Sequence, residues 1–237
     1  MTDRQHSRGR PMSSTAAAFF DVDETLVRVK SMFHFLEFYL RRRGEPEGTF
    51  ARLTADLRAA AAAGTPRQVV NRAYYRLYAG ESAERLAAAG EAWFERAVED
   101  DLFVPETVDA AERHRAAGDA LVLVSGSFFA CLDPIAAQLR ADWTVGTRPV
   151  VRGGRLTGEV VVPVIGAVKG RVASAVAGVR GLDLARCAAY GDHSSDIPLL
   201  AAVGRPVAVG DDPVLTAHAE LAGWQRLVPA EPVRAAV

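Results

Sequence analysis

Phe19-Phe20-Asp21-Val22-Asp23-Glu24-Thr25 is a short apolar run that stops at two carboxylates spaced i, i+2. At the carboxyl end of a strand this spacing aims the first carboxylate beyond the sheet edge, and the turn brings the second back over the same place. The pair suits chemistry in which one carboxylate attacks and the other moves a proton. An Asp-rich turn that only caps a strand looks the same locally. The remainder of the chain decides between the two.

Working outward, short β-like runs bounded by turn residues recur at 17–20, 120–124, 143–147, 187–190 and 207–209. Helical stretches separate most of them, which predicts an α/β fold with a Rossmann-like parallel sheet. Pro105 and Gly118 mark the start and stop of one helix. Asp133-Pro134 reads as the N-cap and first helical residue of another that runs to Arg140.

From 31 to 101 the periodicity is helical only. Met32, Leu36, Tyr39 and Leu40 begin it, and Phe50, Leu53, Leu57, Val70, Tyr74, Leu77, Leu86, Trp93 and Ala97 continue at spacings of three to four. Gly44-Glu45-Pro46, Gly64-Thr65-Pro66 and Gly80 divide it into roughly four helices. A helical bundle inserted after the first strand is therefore predicted. Val150-Val151, Arg152-Gly153-Gly154-Arg155 and Val160-Val161-Val162 predict an antiparallel β-hairpin. No GxGxxG or GxxxxGK[ST] pattern accompanies the two glycines, so they read as a turn rather than a phosphate loop.

With 237 residues, 49% hydrophobic and 24% charged, the chain can bury a substantial core. The formal net charge is -1 and the longest basic run is Arg41-Arg42-Arg43, so no electrostatic footprint for nucleic acid exists. Cys131 and Cys187 lack CxxC or His spacing, which argues against zinc and against a disulfide framework. Both read as buried hydrophobes in a reducing compartment. No stretch approaches the roughly 18 apolar residues of a spanning helix, and a cytoplasmic protein with no membrane span is predicted.

Three further polar groups follow later strands. Ser125-Gly126-Ser127 ends the run 120–124, Lys169 opens a helix after the hairpin, and Gly191-Asp192-His193-Ser194-Ser195-Asp196 follows 187–190. Carboxyl ends of parallel strands converge on one crevice, which would gather Asp21, Asp23, Ser125, Lys169, Asp192 and Asp196. Crowded carboxylates raise one another's pKa unless a cation is present, and an all-oxygen set of this size suits Mg²⁺. Ser125, Lys169 and backbone N–H groups then supply donors for phosphoryl oxygens. His193 is a candidate general base set against an ordinary loop residue, and Ser127 a candidate pocket hydroxyl. His6, His34, His114 and His218 show no ligand spacing.

Asp21-Val22-Asp23-Glu24-Thr25, Ser125, Lys169 and the GDxxxD pattern at 191–196 resemble, in order and spacing, the four motifs of the haloacid dehalogenase superfamily of phosphohydrolases. The likeness runs from 19 to 208, and the helical insert with its hairpin resembles the phosphoserine-phosphatase-like branch with a helical-bundle cap. The resemblance implies an α/β core at 16–30 and 102–225, a cap at 31–101, a flexible N-terminal tail at 1–15 and a C-terminal tail at 226–237. It implies Asp21 as nucleophile forming an aspartyl-phosphate, and Asp23 as the acid and then base. Asp21, Asp23 and Asp192 would hold Mg²⁺, and Ser125, Gly126 and Lys169 would bind the substrate phosphate. Thr25 and Asp196 would support the turn and Lys169.

The implied activity is hydrolysis of a small-molecule phosphomonoester, with a phosphotransferase or mutase, or a non-catalytic phospho-acceptor domain, as alternatives. The implied assembly is a monomer or homodimer. The branch carries Ser where this chain has Glu24, and Glu where it has Lys30. A cation there would repel a substrate ammonium, which disfavours phosphoserine. Lys30, Arg72 and Arg76 are the candidate specificity residues.

Overall fold

The structure, a computed structural model, describes residues 15–230. The tail predicted at 1–15 falls almost wholly outside the described residues, as does 231–237 of the C-terminal one. In chain order the elements are β1 (Ala17–Phe20), α1 (Ser31–Arg42), α2 (Thr49–Ala62), α3 (Arg67–Arg76), α4 (Ala83–Glu99), α5 (Pro105–Ala116) and β2 (Ala120–Ser125). There follow α6 (Phe129–Leu139), β3 (Trp143–Gly146), β4 (Pro149–Arg152), β5 (Arg155–Val160), α7 (Ala167–Arg180) and β6 (Ala188–Gly191). The last four are α8 (Ile197–Leu200), β7 (Arg205–Val209), α9 (Pro213–Ala222) and β8 (Gln225–Leu227).

Six strands form one sheet in the order β3-β2-β1-β6-β7-β8, with every neighbouring pair parallel. Both faces are covered, so β1 and β2 are buried at every residue and read as unbroken apolar runs. Alternation still sorts their side chains. Ala18, Phe20, Leu121 and Leu123 face a core shared with α1, α3, α4 and α6. Ala17, Phe19, Val122 and Val124 face a second core under α7, α8 and α9. Strand order reverses at β1, between β2 and β6, and that reversal opens the crevice where ligands bind in such sheets.

Helices α1 to α4 all lie between β1 and β2 in the chain. Their aromatic residues pack on one another and on the core through Phe128, whose ring lies 5.7 Å from Phe35, 5.4 Å from Tyr75 and 5.5 Å from Tyr78. Strands β4 and β5 form the predicted hairpin. Gly153 at φ 55° and Gly154 at φ 75° supply the two left-handed residues that a two-residue turn of this hand needs. Cys131 and Cys187 are buried and free. No helix among the described residues is long and apolar enough to cross a membrane.

Two local readings are corrected. Strand β8 crosses the boundary drawn at 225/226: Arg226 and Leu227, assigned to the C-terminal tail, pair with Ala208 and Val209 of β7. Gln225 and Arg226 are polar and exposed on this edge strand and only Leu227 is half-buried, so no apolar run announces it. Helix α6 begins at Phe129, not at Pro134, which sits in its interior. Burial of Ala130, Cys131 and Leu132 extends the helix backwards past the proline. Pro134 has no N–H for the Ala130 carbonyl. Helix α4 covers that carbonyl at Gly90, where a Cβ atom would stand 2.0 Å from the Ala130 oxygen.

The contact is backbone on backbone, so a side chain at position 90 must push the two helices apart. Gly90→Ala is expected to destabilise the fold by about 1–3 kcal/mol despite its better helix propensity. Urea unfolding checks this, and an unchanged or higher midpoint would contradict the packing described.

Candidate active site

Asp21 is the first residue past β1, and its N–H donates to the Tyr190 carbonyl at 2.9 Å, extending the pairing with β6. Its Oδ1 accepts from the Val22 N–H at 2.7 Å and from Lys169 Nζ at 2.8 Å. The chain then turns tightly. Leu26 and Val27 both donate to the Val22 carbonyl, and Glu24 takes a left-handed φ of 59° that few non-glycine residues adopt. The turn returns Asp23, whose Oδ1 accepts the N–H of Ser31 at 3.1 Å. Ser31 is the first residue of α1, so the helix dipole favours the ionised carboxylate there.

Ser125 closes β2, and its Oγ accepts the Ser127 N–H at 3.0 Å. Lys169, near the start of α7, is buried and bridges Asp21 Oδ1 and Asp196 Oδ1, the latter at 2.6 Å. Asp196 Oδ2 accepts the His193 N–H at 3.2 Å. Gly191 has to lack a side chain, since a Cβ there would lie 2.6 Å from that of Asp196. Asp192 Oδ1 accepts from Thr25 Oγ1 at 2.7 Å, while the Thr25 carbonyl accepts from Thr107 at 2.7 Å. Thr25 thus ties the loop after β1 to the loop after β6, a more specific role than supporting its own turn.

Burial dominates the electrostatics. It raises Asp21 to about 7, opposed by Lys169 and assisted by Asp196 and Asp23. It raises Asp23 to about 6 against the Ser31 hydrogen bonds. Asp192 is pushed well above the usual carboxylate range, first by burial and then by Asp21 and Asp196. Burial alone would lower the Lys169 ammonium, but Asp196 and Asp21 beside it hold it above its ordinary value. Lys169 therefore stays charged, and the strain falls on the carboxylates.

Oxygens of Asp21, Asp192 and Asp196 lie within 4.8 Å of one another. Three carboxylates around one ammonium leave surplus negative charge, and a hard divalent cation fits that deficit. Asp196 has both oxygens committed to Lys169 and His193, which leaves Asp21 and Asp192 as the carboxylates fitted to hold it.

A crevice of about 510 Å³ is lined by Asp21, Asp23, Ser125, Gly126, Lys169 and Asp192 together. Asp196 is fully buried behind Lys169. Lys30 lines the crevice and pairs with Glu24 at 3.7 Å, which partly offsets its charge there. Arg72 and Arg76 are not among the crevice residues. Arg72 donates to the Val160 carbonyl at 3.0 Å and Arg76 pairs with Glu159 at 3.8 Å, because this side of α3 lies against β5. The crevice instead receives Val70, Asn71 and Tyr74 from α3, with Arg58 of α2 and Arg67 at the start of α3.

Arg58, Arg67, Val70 and Asn71 are not among the residues the sequence singles out for the crevice. The only signal for Arg58 is its place beside Leu57, and for Asn71 its place among buried tyrosines. His193 lines the crevice, yet its Nδ1 accepts the Ser195 N–H at 3.0 Å and so caps the turn before α8. Ser127 is wholly buried and meets Ser31 Oγ at 2.9 Å instead of lining the pocket.

The sequence model of haloacid dehalogenase-like hydrolases matches residues 18–201. A Streptomyces azureus protein named for inhibition of morphological differentiation is 34% identical over 92% of this chain and 80% of its own length. A phosphoserine phosphatase of Mycobacterium tuberculosis is 30% identical over 92% of this chain and 72% of its own. A solved structure of a Bordetella pertussis protein of unknown function is 31% identical. It superposes with a TM-score of 0.80, covering 91% of this chain and 99% of that one.

Divalent binding needs the carboxylates ionised, and those of Asp21 and Asp192 are raised by burial. Any such binding should therefore be strongest above pH 7 and fall away as the pH drops through the raised Asp21 value. At pH 8 a hundredfold excess of Mg²⁺ over its Kd should raise the melting temperature by about 5–10 °C. That rise should shrink at pH 5 and vanish in Asp192→Asn. Differential scanning fluorimetry reads both effects, and an equal shift in Asp192→Asn would place the ion elsewhere.

Proposed function

The chain belongs to the haloacid dehalogenase-like hydrolases, and on that premise we propose a Mg²⁺-dependent phosphatase that works through an aspartyl-phosphate on Asp21. One observation carries the reading. A buried carboxylate held by Lys169, a second carboxylate raised to about 6 and the Ser125 hydroxyl line a single crevice.

In this reading an Asp21 oxygen attacks phosphorus, the bond to the ester oxygen breaks, and the Asp23 carboxyl gives its proton to that leaving oxygen. Asp23, now ionised, takes a proton from a water that attacks the aspartyl-phosphate. Orthophosphate leaves, Asp21 is regenerated and Asp23 holds a proton again. An acid with a pKa near 6 is suited to both halves around neutral pH. Lys169, Ser125 and the backbone at Gly126 hold the phosphoryl oxygens through the exchange. Mg²⁺ held by Asp21, Asp192 and the Asp23 main-chain carbonyl would supply positive charge against those oxygens.

At about 510 Å³ the crevice has more room than a phosphoryl group alone fills. Met32, Phe33, Leu57, Val70 and Ile165 give it apolar walls, and the basic side chains that line it besides Lys169 are Arg67, Arg58, which lies over the Phe50 ring, and Lys30, which pairs with Glu24. The substrate class this favours is a phosphomonoester whose leaving group has an apolar part and a second anionic substituent. Buried free cysteines suit the reducing cytoplasm.

Release of orthophosphate from p-nitrophenyl phosphate should require Mg²⁺ and fall by about 10³-fold or more in Asp21→Asn. Phosphate retained on the protein without turnover would favour a phospho-acceptor domain instead. Arg58→Gln and Arg67→Gln should raise KM several-fold, roughly as lost ion pairs do, for a carboxylated phosphomonoester and less for an uncharged one. Equal effects on the two substrates would remove the second anion from the reading.

A further inference from the structure

Two side chains of α3 converge on one carbonyl of the core. Asn71 Nδ2 and Tyr75 Oη each donate to the Gly126 oxygen at 3.1 Å. They stand four residues apart, on one face of the helix. Asn71 is 5% exposed and Tyr75 fully buried. Asn71 Oδ1 is buried with no partner. A buried acceptor left unpaired marks a constraint imposed by something else, and here the constraint is the bond that Nδ2 makes to Gly126.

The Gly126 carbonyl belongs to the same peptide unit as the Ser127 N–H, and that N–H donates to Ser125 Oγ at 3.0 Å. A peptide is planar, so fixing its carbonyl fixes the direction of its N–H. A serine hydroxyl has one hydrogen to give and two lone pairs to fill. With one lone pair engaged by Ser127, the Ser125 hydrogen remains for an acceptor in the crevice. The space is tight: a Cβ on Gly126 would lie 3.2 Å from Ile165 and 3.6 Å from Asn71 Nδ2.

We propose that Asn71 and Tyr75 are positioning residues: by pinning the Gly126–Ser127 peptide they aim the Ser125 hydroxyl at the phosphoryl group, so the phosphate site is complete only with α3 docked on the core. The proposal deepens the hydrolase reading and rests on it.

A double-mutant cycle separates this role from plain support of the fold. Tyr75→Phe removes one oxygen from an otherwise retained ring, and Asn71→Leu removes the amide at similar volume. Each should lower kcat/KM for p-nitrophenyl phosphate by roughly fivefold to tenfold, the worth of one hydrogen bond. In a Ser125→Ala background each should change it by less than about twofold, because the group they aim is gone. Equal losses in both backgrounds would overturn the proposal.

If Asn71→Leu fails to fold, Tyr75→Phe alone decides. Calorimetric titration of the same proteins with inorganic phosphate runs the cycle without turnover. Should the wild type release no phosphate from any ester, the hydrolase reading fails. The phosphate cycle then still judges the clamp, with non-additive losses supporting it and additive losses refuting it.

Discussion

Lys169 is a single ammonium set among three carboxylates, of which those of Asp21 and Asp196 are buried, and the floor of the crevice is organised around that imbalance. Its two short ion pairs tie α7 to the end of β1 and to the turn before α8. Removing one partner of such a buried pair costs about 3–5 kcal/mol, because the remaining charge stays out of water. The pairs fix where each oxygen points more than they add stability. The surplus negative charge has a chemical consequence, since a phosphoryl dianion would be repelled by this floor until a further cation balanced it.

The helices between β1 and β2 do more than cover that floor. The first N–H of α1 holds the Asp23 carboxylate, and α3 reaches the carbonyl next to Ser125. Phe128, three residues after Ser125, sits within their aromatic cluster. Roof and floor therefore share hydrogen bonds as well as apolar area. Hydrogen bonds are directional, so a tilt of the roof disturbs the floor groups sooner than it disturbs the packing.

What could be read in advance follows from where the physics is local. Asp21, Asp23, Ser125, Lys169 and Asp192 were legible because strand carboxyl ends converge by topology, whatever the loops do. The roof residues were not. An amphipathic helix announces its apolar stripe, but α2 and α3 each contact more than one surface, and the pattern does not say which polar residue faces which. Arg72 and Arg76 went to the hairpin for that reason, while Arg58 and Arg67 reached the crevice. Strand β8 and the early start of α6 escaped because one is an exposed edge and the other overrides a proline through burial. The turn at Gly153 and Gly154 was legible because its requirement, two left-handed residues, is met within two positions.

The meeting of Gly90 with the Ala130 carbonyl joins two positions that no side-chain contact connects. Pro134 leaves that carbonyl without its helical partner, and Gly90 is the residue that lets another helix come close enough to shield it. Neither choice is useful alone. A relative that replaced the proline with a residue bearing an N–H would satisfy the carbonyl internally and lose the reason to keep position 90 bare. The two sites should drift together over evolutionary time, a correlation between a helix of the insert and a helix of the core that records how the two were first fitted.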